Sequence, residues 1–226
     1  MGYQNFITMD QLTFKFPFSK KYFEQDYFVS SNNFPAFKLI DSWPNWPGKW
    51  LNIFGESGSG KTHLSKILES KVGKIKFVNA DKVNNETINQ LNDIECLIID
   101  NFNNNIKEGL VYSILNQSKQ LNNYVLINSN YSIKNINFNL EDLRSRINSF
   151  IFMGIELPTD ELLQVIITKS LSDKQININP KLIDFIINNI ERSYDKLFKF
   201  LKDIDDLSLS TGKSININLI KKVLNQ

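Results

Sequence analysis

Between Trp50 and Ile155, short apolar runs alternate with stretches whose apolar residues recur at helical spacing. The runs Trp50–Phe54, Lys76–Asn79, Glu95–Ile99, Tyr124–Asn128 and Ser149–Ile155 read as strands, the third ending at Asp100. Between them, Lys61–Ser70, a stretch near Asn85–Leu91, Lys107–Leu121 and Leu140–Ile147 read as helices. Strands that are apolar on both faces belong to a parallel sheet covered on both sides. The expected fold class is therefore α/β, a three-layer α/β/α sandwich around a parallel sheet.

The pattern differs at both ends. Residues 1–30 are aromatic-rich and irregular, and Pro17 argues against a helix there, so an extended N-terminal arm is expected over 1–24. Asn33–Ser42 has helical apolar spacing, and the Trp43-Pro44-Asn45-Trp46-Pro47-Gly48 segment ends it. From Pro158 onward no strand is expected. Helices are predicted over Asp160–Leu171, Pro180–Glu191, Tyr194–Ser210 and Asn218–Leu224, with Thr159 or Asp160 capping the first and Pro180 in a first turn. This places an α/β domain at 25–157 and an all-helical domain at 158–226.

Composition narrows the class. An apolar content of 42% suffices for a packed core, and a net charge of +2 gives no global reason to expect nucleic acid. Cys96 is the single cysteine, which excludes a disulfide framework or a cysteine-based metal site. No apolar run approaches membrane-spanning length, and the first residues lack a signal-peptide layout, so a cytoplasmic protein is expected. Asn, Ile, Lys and Phe are all frequent, the mark of A·T-rich coding. Any one asparagine is accordingly a weak witness to function.

The candidate chemistry begins where the first strand ends. Gly55-Glu56-Ser57-Gly58-Ser59-Gly60-Lys61-Thr62 fills the phosphate-loop pattern G-x-x-x-x-G-K-[ST]. The glycines let backbone N–H groups converge on phosphate oxygens, and the following helix adds its positive end. Lys61 would reach the β- and γ-phosphates, and the Thr62 hydroxyl would hold Mg²⁺. Asp100, ending an apolar strand, is the second expected magnesium-binding residue. Asn101 follows it; an amide orients water but cannot take its proton, so hydrolysis in this site should be slow. Ser129 and Asn130 stand where a γ-phosphate sensor would sit, or form an ordinary turn. Arg144 and Arg146 point different ways on a helix; either could reach a neighbour's nucleotide or be solvated charge. His63 is grouped with the nucleotide-binding residues by position, although its side chain reads as a packed helix residue.

Together, the phosphate loop, Ile99-Asp100-Asn101, Ser129-Asn130, Leu143-Arg144-Ser145-Arg146 and the helical lid resemble the Hda-like, DnaA-related AAA+ family. Phe28–Asn33, Trp43–Pro47 and Glu191–Leu197 are similar to the family's entry and lid segments. The chain carries no helix-turn-helix after the lid, so direct sequence-specific DNA binding is not expected. Gln11-Leu12-Thr13-Phe14-Lys15-Phe16 resembles the family's sliding-clamp motif, with Gln11 as a polar latch and Leu12, Phe14 and Phe16 filling an apolar groove.

The resemblance implies a regulator that binds the DNA-loaded clamp, engages ATP-bound DnaA and stimulates its hydrolysis, preventing re-initiation. It implies ADP or ATP with Mg²⁺ as cofactors, Arg146 as a finger acting in trans, and Asn33 in the segment framing the adenine. Asn130 stands where the family usually has Asp. The lid's sensor arginine is not reproduced near Asp195 or Lys196, and Arg192, one turn earlier, is the residue that could substitute. The partners implied are DnaA and the clamp, with a homodimer left open. A stand-alone AAA+ ATPase of the helicase-loader or initiator type is the alternative.

Overall fold

The computed structural model describes residues 24–224. The clamp-motif residues Gln11, Leu12, Phe14 and Phe16 lie outside them. The described chain divides into two compact units. One runs to Leu163 and includes Arg192–Asp195; the other comprises Gln164–Glu191 and the chain from Lys196 onward.

The first unit contains α1 (Phe34–Asp41), β1 (Trp50–Phe54), α2 (Lys61–Lys71), β2 (Ile75–Asn79) and α3 (Asn85–Asn89). It continues with β3 (Cys96–Phe102), α4 (Glu108–Gln120), β4 (Tyr124–Ser129), α5 (Glu141–Ile147) and β5 (Ile151–Gly154). The five strands form one parallel sheet in the order β2-β3-β4-β1-β5. Side chains alternate between faces, as strand geometry demands. Leu97, Ile99, Val125 and Ile127 pack with Val111, Ile114 and Leu115 of α4 and Leu143 and Ile147 of α5. Leu51, Ile53, Cys96, Ile98 and Leu126 pack on the other face with Ala36 and Ile40 of α1 and Leu64, Ile67 and Leu68 of α2. Two buried faces are why the strands read as nearly continuous apolar runs.

One strand departs from its expected end. β3 continues through Asp100 to Phe102, with a register irregularity against β4: Ile99 pairs with Ile127, but Phe102 pairs with Ser129. Asp100 and Asn101 together thus oppose Asn128, a bulge with Asn101 in the left-handed region at φ 56°. The extra residue returns Phe102 to the α4 face while Asp100 keeps to the α2 face. Asn101 is exposed on the bulge.

The second unit takes most of α6 (Asp160–Ser172), all of α7 (Pro180–Asn189), most of α8 (Tyr194–Thr211) and α9 (Ile217–Val223). Its described residues contain no strand. Ile167, Leu171, Ile183, Ile186, Leu197, Leu201, Ile204 and Ile220 are buried. Asparagines start two of its helices: Asn179 accepts from the Lys181 N–H ahead of Pro180, and Asn216 accepts from the N–H groups of Asn218 and Leu219.

Candidate nucleotide site

The phosphate loop joins β1 to α2 and is tied to the end of β4 by the Gly55 N–H donating to the Ser129 carbonyl at 3.2 Å. Two of its glycines are dictated by space and conformation. A Cβ at Gly55 would stand 2.8 Å from the Ile155 carbonyl oxygen. Gly60 has φ +96°, and a Cβ there would meet the Tyr27 ring at 2.9 Å. Tyr27 stacks on Phe37 at 5.9 Å between centroids and stands edge-on to His63 at 5.3 Å. The sole histidine is therefore part of an aromatic cluster behind the loop.

Lys61 opens α2 and is buried, 7% exposed. Its ammonium donates to the carbonyls of Gly55 at 2.7 Å and Glu56 at 2.9 Å, and to Ser59 Oγ at 3.5 Å. Burial pulls its pKa down to about 8, against the opposing pull of Asp100 and Glu56. A buried ammonium at the positive end of a helix suits a phosphate, which would supply the charge that the loop carbonyls supply only as dipoles.

Thr62, the next residue, donates its hydroxyl to Asp100 Oδ2 at 2.9 Å, so the predicted magnesium pair is brought together. A hydroxyl and a carboxylate are the hard oxygen donors Mg²⁺ takes beside a nucleotide phosphate. Among the described residues there is no cluster of three or more His, Cys, Asp or Glu side chains that could hold a metal by itself. The donor set therefore fits a magnesium ion bound mainly through phosphates. Asp100 is 3% exposed, and its other oxygen accepts from Asn128 Nδ2 at 2.8 Å.

The remaining predicted residues have mixed placements. Asn33 is buried but occupied within its own segment, accepting from the Ser30 N–H at 2.9 Å and donating to the Phe28 carbonyl at 2.9 Å. Ser57 and Gly58 are exposed on the loop. Asn130 is exposed and lines a cleft of about 520 Å³ with Asn103, Asn104 and Tyr131. Arg192 makes a two-pronged pair with Asp160, at 2.9 and 3.0 Å, on an exposed surface. Arg146 on α5 is half-buried and donates to Asn116 Oδ1 on α4 at 2.8 Å, whereas Arg144 is exposed and pairs with Glu141 at 3.5 Å.

Three side chains, those of Glu56, Asn32 and Asn52, make polar contacts not anticipated from the sequence. Glu56, inside the phosphate loop, accepts from the Ser193 hydroxyl at 2.6 Å and the Tyr194 N–H at 2.8 Å, where α8 begins. Asn32 donates to the Tyr194 hydroxyl at 2.6 Å and to the Glu156 and Leu157 carbonyls, joining the entry segment to the same point. Asn52, in the middle of β1, donates to Ser129 Oγ at 2.9 Å and accepts from the Ile133 N–H at 3.1 Å. The available signal was an amide inside an otherwise apolar strand, at Asn52 and again at Asn128.

Comparison with known proteins fits this geometry. Residues 160–224 match the family model of the Hda lid domain. Domain III of the Thermotoga maritima replication initiation protein DnaA superposes with a TM-score of 0.75 at 18% identity, covering 93% of this chain and 98% of that one. AMPPCP-bound DnaA from Aquifex aeolicus gives 0.66 at 18% identity, over 83% of this chain and 66% of the other. The Thermotoga maritima RuvB Holliday junction branch migration motor gives 0.59 at 20% identity, over 78% and 61%. The chain thus carries a segment that matches the Hda lid model and shares the fold of these proteins.

Proposed function

We propose that this chain is a DnaA-related AAA+ regulator of the Hda type, a nucleotide-dependent binding module that acts on the replication initiator. The observation carrying this reading is the conjunction of an Hda-type lid at 160–224 with a DnaA-like nucleotide-binding fold. ADP or ATP would sit on the loop Gly55–Thr62, its phosphates drawn by Lys61 and the start of α2. Thr62 and Asp100 would hold Mg²⁺, which supplies charge neutralisation to the phosphates. Asn101, exposed on its bulge, lacks the basicity to take a proton from water, so turnover in this site is slow.

The productive chemistry lies in the partner. Arg146 is presented to the nucleotide of ATP-bound DnaA, where a guanidinium neutralises charge developing during phosphoryl transfer. The segment Gln11–Phe16 docks on the sliding clamp, bringing the regulator to loaded DNA. The test is hydrolysis by DnaA with and without this protein and the DNA-loaded clamp. Stimulation that needs both supports the reading, and brisk turnover by this chain alone would favour a stand-alone ATPase. Replacing Gln11 and Leu12 with alanine should abolish clamp pull-down; unchanged binding removes the clamp assignment.

A further inference from the structure

Asn128 is fully buried in β4, directly opposite Ile53 of β1 and the Asp100–Asn101 bulge of β3. Its neighbour two residues earlier on the same face is Leu126, packed under α2. Where Leu126 presents an apolar side chain, Asn128 presents an amide. Nδ2 donates to Asp100 Oδ1 at 2.8 Å and to Ser65 Oγ at 2.7 Å. A carboxylate oxygen is an acceptor, and the amide nitrogen faces it. Oδ1 is then left buried without a protein partner among the described residues, which costs free energy.

What it accomplishes is geometric. Thr62 and Ser65 lie three apart on α2, on one face of the helix. Thr62 holds Oδ2 of Asp100, Asn128 holds Oδ1, and Asn128 is itself anchored to Ser65. The carboxylate is therefore clamped at both oxygens between β4 and the helix that follows the phosphate loop. The bulge contributes by keeping Asp100 on the α2 side. Asn130, by contrast, is exposed and makes no such link.

We propose that Asn128 is a positioning residue for the magnesium end of the nucleotide site, fixing Asp100 through its side-chain amide. The proposal rests on the nucleotide-binding reading above. Residues that hold a metal ligand from behind typically change metal affinity ten- to a hundredfold when removed. The test uses the full chain, the fluorescent nucleotide mant-ADP, and Mg²⁺ titrated against EDTA. Asn128→Val and Asn128→Thr have the same shape and differ by one hydroxyl donor. The valine variant should raise the Mg²⁺ concentration needed for half-maximal tightening about tenfold, with affinity in EDTA unchanged. The threonine variant should recover most of the wild-type response. Equal behaviour of the two variants, or an equal loss with and without Mg²⁺, overturns the assignment.

A second measurement does not depend on the variants folding. In wild-type protein loaded with mant-ADP, the Asn128 side-chain amide NMR signal should shift on adding Mg²⁺; a signal blind to Mg²⁺ overturns the proposal. Failure of the wild type to bind mant-ADP would overturn the nucleotide-binding reading and this proposal with it. Binding whose Mg²⁺ dependence ignores Asn128 strikes only the latter.

Discussion

Arg146 Nη2 donates to Asn116 Oδ1 at 2.8 Å, so the candidate finger on α5 is held by a side chain of α4. A long guanidinium loses less conformational freedom at an interface when one nitrogen is already fixed. Asn116→Ala should weaken stimulation of DnaA about fivefold, the worth of one hydrogen bond, without altering nucleotide binding. Measuring hydrolysis and mant-ADP affinity side by side checks this. Unchanged stimulation would mean that Arg146 acts free of α4.

Glu108 of α4 supports the same helix from its other end. Its carboxylate accepts from the N–H groups of Asn139 at 3.0 Å and Leu140 at 2.9 Å, immediately before α5. Those backbone donors hold its pKa below the usual carboxylate range. A depressed carboxylate pKa contributes stability that is present above the unfolded-state value and lost as pH falls through the folded-state value. Hydrogen-exchange protection factors of Asn139 and Leu140 should therefore be high at neutral pH and fall on acidification. Glu108→Gln should flatten that dependence; a wild-type profile in the variant would show the contact to be idle.

Lys61 gives a prediction with opposite signs for binding and stability. Its lowered pKa means that the charged ammonium is disfavoured where it stands without a phosphate. Lys61→Met should leave the melting temperature of nucleotide-free protein unchanged or raised. The same variant should lose at least about a hundredfold in mant-ADP affinity, consistent with losing a charge-assisted phosphate contact. A large destabilisation of the nucleotide-free protein would show that the loop carbonyls, rather than a phosphate, are the lysine's natural partners.

Glu56 links the phosphate loop to the first residues of α8. Removing its carboxylate takes away the acceptor of the Tyr194 N–H, at a cost of about 1 kcal/mol by analogy with helix caps. Glu56→Ala should speed amide exchange at Tyr194 about fivefold while sparing the sheet. Uniform exchange across both would place the effect on global stability instead.

Much of this architecture was legible because its signals are periodic or stereochemically forced. The five strands announce themselves by apolar runs buried on both faces, and the loop by glycines that a Cβ would disrupt at Gly55 and Gly60. The pairing of Thr62 with Asp100 follows from where such elements must meet. The buried amides were harder. Asn52 and Asn128 lie in an asparagine-rich chain, so neither stood out from exposed ones such as Asn101 and Asn130. The extension of β3 past Asp100 depends on a bulge at Asn101, and a bulge has no periodic signature. Arg192, which the family resemblance offers as a nucleotide-side arginine, pairs with Asp160, a partner set by the fold and not by sequence spacing.

In the proposed function, Arg146 supplies catalysis to a partner's site. The most direct measurement is the single-turnover rate of ATP hydrolysis by DnaA with the DNA-loaded clamp and either wild-type protein or Arg146→Ala. Wild-type protein should accelerate hydrolysis, and the variant should lose that acceleration about a hundredfold or more while still binding mant-ADP and the clamp. Full acceleration by Arg146→Ala would show that hydrolysis by DnaA does not depend on this arginine.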